Sequence, residues 1–394
     1  MIAAAPVSVS GEQTLVITND YPPRPGGIQT FVFEMVRRFS ADSVTVLTSS
    51  FEGAEEFDSQ NAWDVVRMDT EILLPKKATL LEAISIIEQK KITRVVFGAA
   101  APLGLLAKEL RELGVEIIIG ITHGHEAGWA STPGTRQALN RIGEHVDRLT
   151  YLGSYTQKKI SPALEPQDAS NLRQLTPGVD TDEFNPGRKE LAQAFRDQVG
   201  LKNRPVVVCV SRIMARKGQD TLIEAMPLIK QEVPDVALLI VGDGPYRPQL
   251  EKRIKALGIE DDVFLTGKVR KEDLPTWYAV GDIFAMPCRT RAAGWDVEGL
   301  GIVYLEASAT GLPVVAGDSG GAPDAVIEGV TGFIVDARNE KPVAGALIHL
   351  LNDPQLAKEM GIAGRAWVEQ SWTWDHSFNR LKQMLSGHDP DQLV

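Results

Sequence analysis

Short runs of valine, isoleucine and leucine alternate with helical patterns along almost the whole chain, and few folds accommodate that rhythm. In the first half, "TLVITND", "SVTVLTSS", "RVVFGAA", "EIIIGITHGHE" and "RLTYLGS" read as strands, with helical stretches at 28–39, 79–91 and 102–113. In the second half, "RPVVVCVSRI", "VALLIVGDG", "VFLTGKV", "DIFAMPC", "LPVVAGD" and "TGFIVD" read as strands, again separated by helices. Continuous apolar runs suit strands covered on both faces of a parallel sheet. Strand–helix alternation suits βαβ units. The expected class is α/β, with enough units for two Rossmann-like, doubly wound parallel sheets. At 394 residues the chain also exceeds what one ordinary core accommodates.

The stretch "LTPGVDTDEFNPGRKE" (175–190) is rich in Pro, Gly and Asp and precedes the fresh strand at Val206. A hinge is expected there, giving a first domain at 1–185 and a second at 186–374. The amphipathic, aromatic "SWTWDHSFNRLKQML" reads as a helix that docks back, so 375–394 joins the first domain, ending in a polar tail expected to be disordered. The net charge of −11 argues against a general nucleic-acid binder. The two cysteines, Cys209 and Cys288, are far apart, and Cys209 sits in the apolar run "PVVVCV". Neither a disulfide framework nor a zinc site is suggested, so a reducing cytoplasm is expected. The start, "MIAAAPVSVSGEQ", lacks the basic region and long apolar core of a signal peptide. No uncharged apolar stretch reaches the length of a membrane span. A soluble protein is expected, with contact at a membrane surface left open.

Ligands of open α/β sheets bind beyond the carboxyl ends of the strands. Two such sheets in tandem would leave a cleft between those ends, so the loops after strands carry the search. After "TLVIT", Gly26 and Gly27 open a helix near Ile28; they permit close backbone approach to an anion at the helix start, or simply make a tight turn. After "RPVVVC", Arg212, Arg216 and Lys217 fall within six residues; they could neutralise a diphosphate or form a solvated basic turn. No Walker A loop is present. In "VGDGPYR", Gly242 and Gly244 lack a third glycine, with Arg247 in its place, which disfavours a dehydrogenase. In "ITHGHEAGW", His123, His125 and Glu126 could be metal ligands, a base or sugar contacts; two histidines at i, i+2 make a weak zinc signal.

The stretch "DVEGLGIVYLEA" is the most informative. Glu298 precedes the turn Gly299-Leu300-Gly301, and 302–310 reads as a helix containing Glu306. Free N–H groups of Gly301, Ile302 and Val303 would face an anion. Glu298 would repel the same phosphate, so it fits hydroxyls beside it, and Glu306 fits hydroxyls on the other side. A diphosphate between a ribose and a transferable hexose matches this layout.

With "PPRPGGIQTFV", "HGHE", "TPGVDTDEFNP", "SRIMARKG", "VGDGP", "GKVRKEDLPTWYAVGDIF" and "EGLGIVYLEA" in order, the chain resembles the family-4 retaining glycosyltransferases of the GT-B fold, over nearly its whole length. That resemblance implies two Rossmann-like domains facing across a cleft, the first binding the acceptor and the second the nucleotide sugar. It implies that Arg212 and Lys217 bind the donor diphosphate, that Glu298 contacts the hexose and Glu306 the ribose, and that Gly299, Leu300, Gly301, Ile302 and Val303 hold phosphate and sugar through the backbone. Gly27 would approach the diphosphate from the other domain. His123 would contact the transferred sugar, with Arg212, Lys217, Glu298 and His123 as the catalytic set. Lys268, Val269 and Asp273 would lie by the base.

The insertion "CRTRAAGWDV", together with "PGGIQ", looks most like the phosphatidyl-myo-inositol mannosyltransferases, particularly the enzyme adding the second mannose. In that reading the donor is GDP-mannose and the acceptor a phosphatidylinositol mannoside lipid, with Gln29 and His125 on the acceptor side. The alternatives are a transferase of the same fold using another nucleotide sugar or a soluble acceptor, and a nucleotide-sugar 2-epimerase. Retention would proceed by same-face attack, the leaving phosphate helping to deprotonate the acceptor hydroxyl. No cofactor and no metal is expected, because cationic side chains and a helix N-terminus would take the metal's place. A lipid acceptor implies peripheral binding at the inner face of the cell membrane, for which "LPKKATLLEAISIIEQKK" offers Lys76, Lys77, Lys90 and Lys91 around an amphipathic stretch.

Overall fold

A computed structural model describes residues 13–292 and 296–391. Expectations about the leader, the tip of the 288–297 insertion and the end of the tail fall partly on 1–12, 293–295 and 392–394, which lie outside the described residues. The chain forms two compact units, Met1–Pro177 with Trp374–Val394, and Gly178–Thr373. This divide lies upstream of 185/186 for a physical reason. The Val179 N–H donates to the Trp372 carbonyl (2.7 Å), Arg365 Nη1 donates to the Phe184 carbonyl (2.7 Å), and Phe184 packs into the second core. The segment "VDTDEF" is thereby anchored to the second unit.

The first unit holds β1 (Thr14–Ile17), β2 (Val44–Ser49), β3 (Asp64–Met68), β4 (Arg94–Phe97), β5 (Ile117–Gly120), β6 (Arg148–Tyr151) and β7 (Leu172–Gln174). They pair in the order β3-β2-β1-β4-β5-β6-β7, all parallel. Successive residues of a strand point to opposite faces. Leu15, Ile17, Val95 and Phe97 accordingly enter one buried cluster, while Val16, Val46 and Val96 enter another. Both faces are covered, which is why these strands read as unbroken apolar runs. The edge strands β3 and β7 escape a search for such runs, because an edge needs no continuous apolar stretch: "DVVRM" is mostly half-buried and "LRQ" is three residues long. Helix Trp374–Leu385 buries Leu381, Met384 and Leu385 in the same cluster as Phe31, Val32 and Met35 of helix Gly27–Val36. The expected helix at 102–113 is broken into Ala100–Leu103, a 3-10 turn at Gly104–Leu106, and Ala107–Glu112. Ile142 packs so closely on Gly104 that a side chain there would collide with it.

The second unit holds β8 (Val206–Val210), β9 (Ala237–Val241), β10 (Val263–Leu265), β11 (Ile283–Met286), β12 (Val314–Gly317) and β13 (Gly332–Val335). Their order is β10-β9-β8-β11-β12-β13, again all parallel. Cys209 and Cys288 are buried free thiols, and burial pushes them up to about 12 and about 11. In each sheet the winding reverses beside its first strand, between β1 and β4 and between β8 and β11. That reversal opens a crevice at the carboxyl ends of those strands, and the loops after β1, β8 and β11, carrying Gly26 and Gly27, Arg212 to Lys217, and Glu298, emerge there.

Candidate functional site

In the second unit the loop leaving β8 is shaped by close backbone packing. A Cβ on Gly242 or Gly244 would run into the carbonyl oxygens of Ser211 or Ile213, so these glycines let the loop after β9 lie against the loop after β8. That accounts for both without a dinucleotide. Ala215–Lys217 form a 3-10 turn, and Gly218 (φ 76°) turns the chain into helix Gln219–Glu232. A side chain on Gly218 would strike the Pro287 carbonyl, so this turn also rests on the loop after β11.

That second loop delivers Glu298, which is only 7% exposed. Lys217 Nζ stands 2.7 Å from Glu298 Oε2, and Arg216 Nε stands 4.0 Å from the same oxygen. Oε2 accepts no hydrogen bond among the described residues, so the contact is ionic and the carboxylate keeps acceptor capacity for hydroxyls. Arg216 Nη1 lies 3.5 Å from Asp296 Oδ1. Arg212 is exposed and has no ion-pair partner among the described residues. The fold thus joins Lys217 to Glu298 and leaves Arg212 free on the same loop.

Beyond Glu298 the chain turns at Gly301 (φ 81°) into helix Ile302–Ala309, whose start carries no side-chain cap and no acidic residue in its first turn. Ile302 and Val303 therefore present uncapped N–H groups, while Leu300 is buried. Gly299 has open space where a Cβ would be. The other side of this turn is held by "GDSGG" after β12. Gly321 N–H donates to the Glu298 carbonyl (2.9 Å), and a Cβ on Gly320 or Gly321 would collide with the carbonyl of Glu298 or Gly299. The sequence reading missed this segment, whose signal is paired glycines directly after a strand.

Glu306 sits one turn into the helix, half-buried, and accepts a hydrogen bond from Tyr278 Oη at 2.5 Å. Desolvation pushes its carboxyl up to about 7, against the pull of the Tyr278 bond. Tyr278 is fully buried and stacks on Phe284 with ring centroids 5.6 Å apart. It too was missed, and the clue was an aromatic pair in "PTWYAV". In the loop after β10, Lys268 is exposed and Val269 packs on the core, while Asp273 accepts from Arg270 Nε and Nη2 (2.7 and 2.9 Å).

The first unit presents its own group. Gln29 Nε2 donates to Asp20 Oδ1 (2.7 Å), and burial raises the Asp20 carboxyl. The Gln29 amide lies against Gly26 so tightly that no Cβ fits there, whereas Gly27 faces open space. His123 Nε2 lies 2.6 Å from the Gly98 carbonyl oxygen. A carbonyl only accepts, so Nε2 carries the proton and Nδ1 is left as an acceptor. Burial pushes this imidazole down to about 4, so it is neutral at pH 7. Glu126 has no exposed surface; its Oε2 accepts from the N–H groups of His123 and Gly124 (3.0 and 3.1 Å), which braces the turn that carries His123. The exposed His125 places Nε2 3.3 Å from the other oxygen. Among the described residues no cluster of three or more His, Cys, Asp or Glu could hold a metal ion.

Residues 192–367 match the family described as "Glycosyl transferases group 1". The chain is 47% identical over 380 residues to the "GDP-mannose-dependent alpha-(1-6)-phosphatidylinositol monomannoside mannosyltransferase" of Mycolicibacterium smegmatis, covering 95% of this chain and 98% of that one. It is 41% identical over 379 residues to the "GDP-mannose-dependent monoacylated alpha-(1-6)-phosphatidylinositol monomannoside mannosyltransferase" of Corynebacterium glutamicum, covering 95% and 98%. Among solved structures, Anabaena HepE in complex with UDP aligns with a TM-score of 0.79 at 20% identity, over 95% of this chain and all (100%) of the other. At that identity the likeness speaks to the fold alone.

Proposed function

The chain belongs to the group 1 glycosyltransferases of the GT-B fold, alongside phosphatidylinositol monomannoside mannosyltransferases, and from that premise we propose that it transfers mannose from GDP-mannose to a phosphatidylinositol monomannoside. The observation that carries the reading is the sequence of groups around one helix start: the Lys217–Glu298 pair, the open glycine turn with uncapped N–H groups, and Glu306 beyond it. Cations and a helix start favour a diphosphate, and the two carboxylates favour hydroxyls at its ends.

In this reading Glu298 holds the mannose and Glu306 the ribose. The sugar–phosphate bond breaks with positive charge growing on the sugar and negative charge on the diphosphate. Lys217, Arg212 and the N–H groups of 301–303 stabilise the negative charge. Glu298, already neutralising Lys217, faces the sugar. The neutral His123 offers Nδ1 as an acceptor to a sugar hydroxyl. Gln29 and His125 serve the acceptor head group, and the leaving phosphate takes the proton of the attacking hydroxyl, with retention. No metal takes part; full activity in EDTA is expected, and activity restored only by a divalent ion would refute this.

The lipid acceptor places the enzyme at a membrane surface, on the cytoplasmic side. No helix among the described residues is long and apolar enough to cross a membrane. The first unit instead exposes Ile72 (55%), Leu74 (40%) and Leu81 (53%) close in sequence to Lys76 and Lys77. Paired bonds between Asn19 and Leu73, and one from Arg24 to the Glu71 carbonyl, tie this surface to the loop after β1. Exposed aliphatics beside lysines suit an anionic bilayer. Calorimetric titration with GDP, UDP and ADP tests the donor assignment. GDP should bind tightest. Tighter UDP binding would point to another nucleotide sugar, and no nucleotide binding would reject transfer.

A further inference from the structure

The cation-bearing turn is held by side chains that the donor reading does not use. Helix Gln219–Glu232 begins directly after Lys217 and Gly218; its first side chain reaches back across the loop that leads into it, and its second reaches the loop leaving β11. Gln219 Nε2 donates to Ser211 Oγ (2.8 Å) and to the Arg212 carbonyl (3.2 Å). Asp220 receives Arg289, the residue after Cys288 in the loop leaving β11: Nη1 to Oδ1 at 2.8 Å and Nη2 to Oδ2 at 2.5 Å. The two side chains are 18% and 6% exposed. Tyr246 Oη (3.2 Å) also donates to Asp220, and Arg289 Nη1 donates to Thr221 Oγ1 (2.8 Å). The Arg289 backbone N–H, in turn, donates to the carbonyl of Arg216 (2.8 Å). A few residues on, Arg291 and Asp296 exchange both backbone hydrogen bonds (2.9 and 3.2 Å), and the Asp296 carboxylate faces the Arg216 guanidinium. Arg216 is therefore held at its main chain by Arg289 and at its side chain by Asp296.

We infer that Arg289 is a positioning residue for the donor's diphosphate: clamped on Asp220, it fixes the Arg216 carbonyl and so sets the direction in which Lys217 leaves the turn, while Asp296 meets the Arg216 side chain. This rests on the donor reading above. Lysine is a flexible point charge, and its use against a developing phosphate charge depends on where its backbone is anchored. A bidentate guanidinium–carboxylate pair in a largely dry site supplies a stiff anchor, because neither charge leaves its partner without a large penalty. Within "CRTRAAGWDV", Arg289 thus holds the main chain of the turn and Asp296 meets its Arg216 side chain.

The test compares dissociation constants for GMP and GDP by calorimetry on the full chain, because their ratio isolates the contribution of the second phosphate. Arg289→Gln should lower that ratio at least fivefold, mainly by weakening GDP. Arg289→Lys, which keeps the charge without the fork, should fall between Arg289→Gln and wild type. A folded Arg289→Gln variant with the wild-type ratio, including one that weakens both nucleotides equally, would overturn the inference and leave Arg289 a packing residue. If Arg289→Gln does not fold by circular dichroism, Arg289→Lys decides: a ratio lowered at least twofold supports the role, and an unchanged ratio overturns it. Wild-type protein that does not bind GDP would overturn the donor reading itself, a result distinct from a variant that binds GDP normally.

Discussion

Glu298 is the residue on which the donor reading turns. Its carboxylate neutralises Lys217 and still has an oxygen without a hydrogen bond, so its removal has two opposite effects. Glu298→Gln should cut turnover about 10²–10³-fold by loosening the sugar, in the range of one lost transition-state contact. GDP affinity should hold or rise, because Lys217 is freed for phosphate; a parallel loss of GDP binding in steady-state and titration measurements would contradict this. Glu306 makes a separate, pH-dependent prediction. Its folded-state value of about 7 lies above the ordinary 4.5, so the folded protein binds the proton more tightly than the unfolded chain. Its contribution to stability is present below pH 4.5 and is lost as pH rises to about 7. Glu306→Gln should flatten that slope and stabilise the protein at pH 8 by on the order of 2 kcal/mol, allowing for partial exposure. Denaturant melts at pH 5 and pH 8 check it, and an unchanged slope would refute it. Residue types and their places after strands marked Arg212, Lys217, Glu298 and Glu306 as candidates in the sequence. Tyr278 was not, since its partner Glu306 is 28 residues away, nor was Arg289, which lies 69 residues from Asp220. Pairing across that distance is a property of the folded sheet.

At the scale of elements, the site is a stack of loop backbones kept close by glycines, and two of these glycines separate packing from binding. Gly320 (φ 58°) has no room for a Cβ because the Glu298 carbonyl occupies the space, so Gly320→Ala should destabilise the second unit by about 2–4 kcal/mol in thermal or denaturant melts. Gly299 faces open space, so Gly299→Ala should melt like wild type yet weaken GDP binding about tenfold or more, as a methyl enters the space assigned to phosphate. If Gly299→Ala binds GDP normally, the turn does not face the donor. The interior strands were legible because both of their faces are buried, which writes the apolar run into the sequence. The edge strands β3 and β7 were not, nor was the break in the helix expected at 102–113, just ahead of which Ala101 has non-helical backbone angles.

Across the whole molecule, two units of one architecture divide their surface differently: the second carries the cations and the glycine turn, the first the His123 turn and an exposed aliphatic–lysine surface. Vesicle flotation with an anionic lipid should show salt-sensitive binding, reduced about tenfold by Ile72→Ser with Leu81→Ser and also by Lys76→Glu with Lys77→Glu. Binding unaffected by both pairs would place membrane contact elsewhere. The positions of the divide follow from contacts of Val179, Phe184 and Arg365 rather than from the Pro- and Gly-rich composition that marks the linker. The most direct measurement is product analysis after incubating the purified chain with GDP-mannose and phosphatidylinositol monomannoside. The account predicts a phosphatidylinositol dimannoside, formed by the wild type and nearly abolished in Glu298→Gln. A chain that binds GDP but leaves this acceptor unmodified, or a Glu298→Gln variant that forms the product at the wild-type rate, would contradict it.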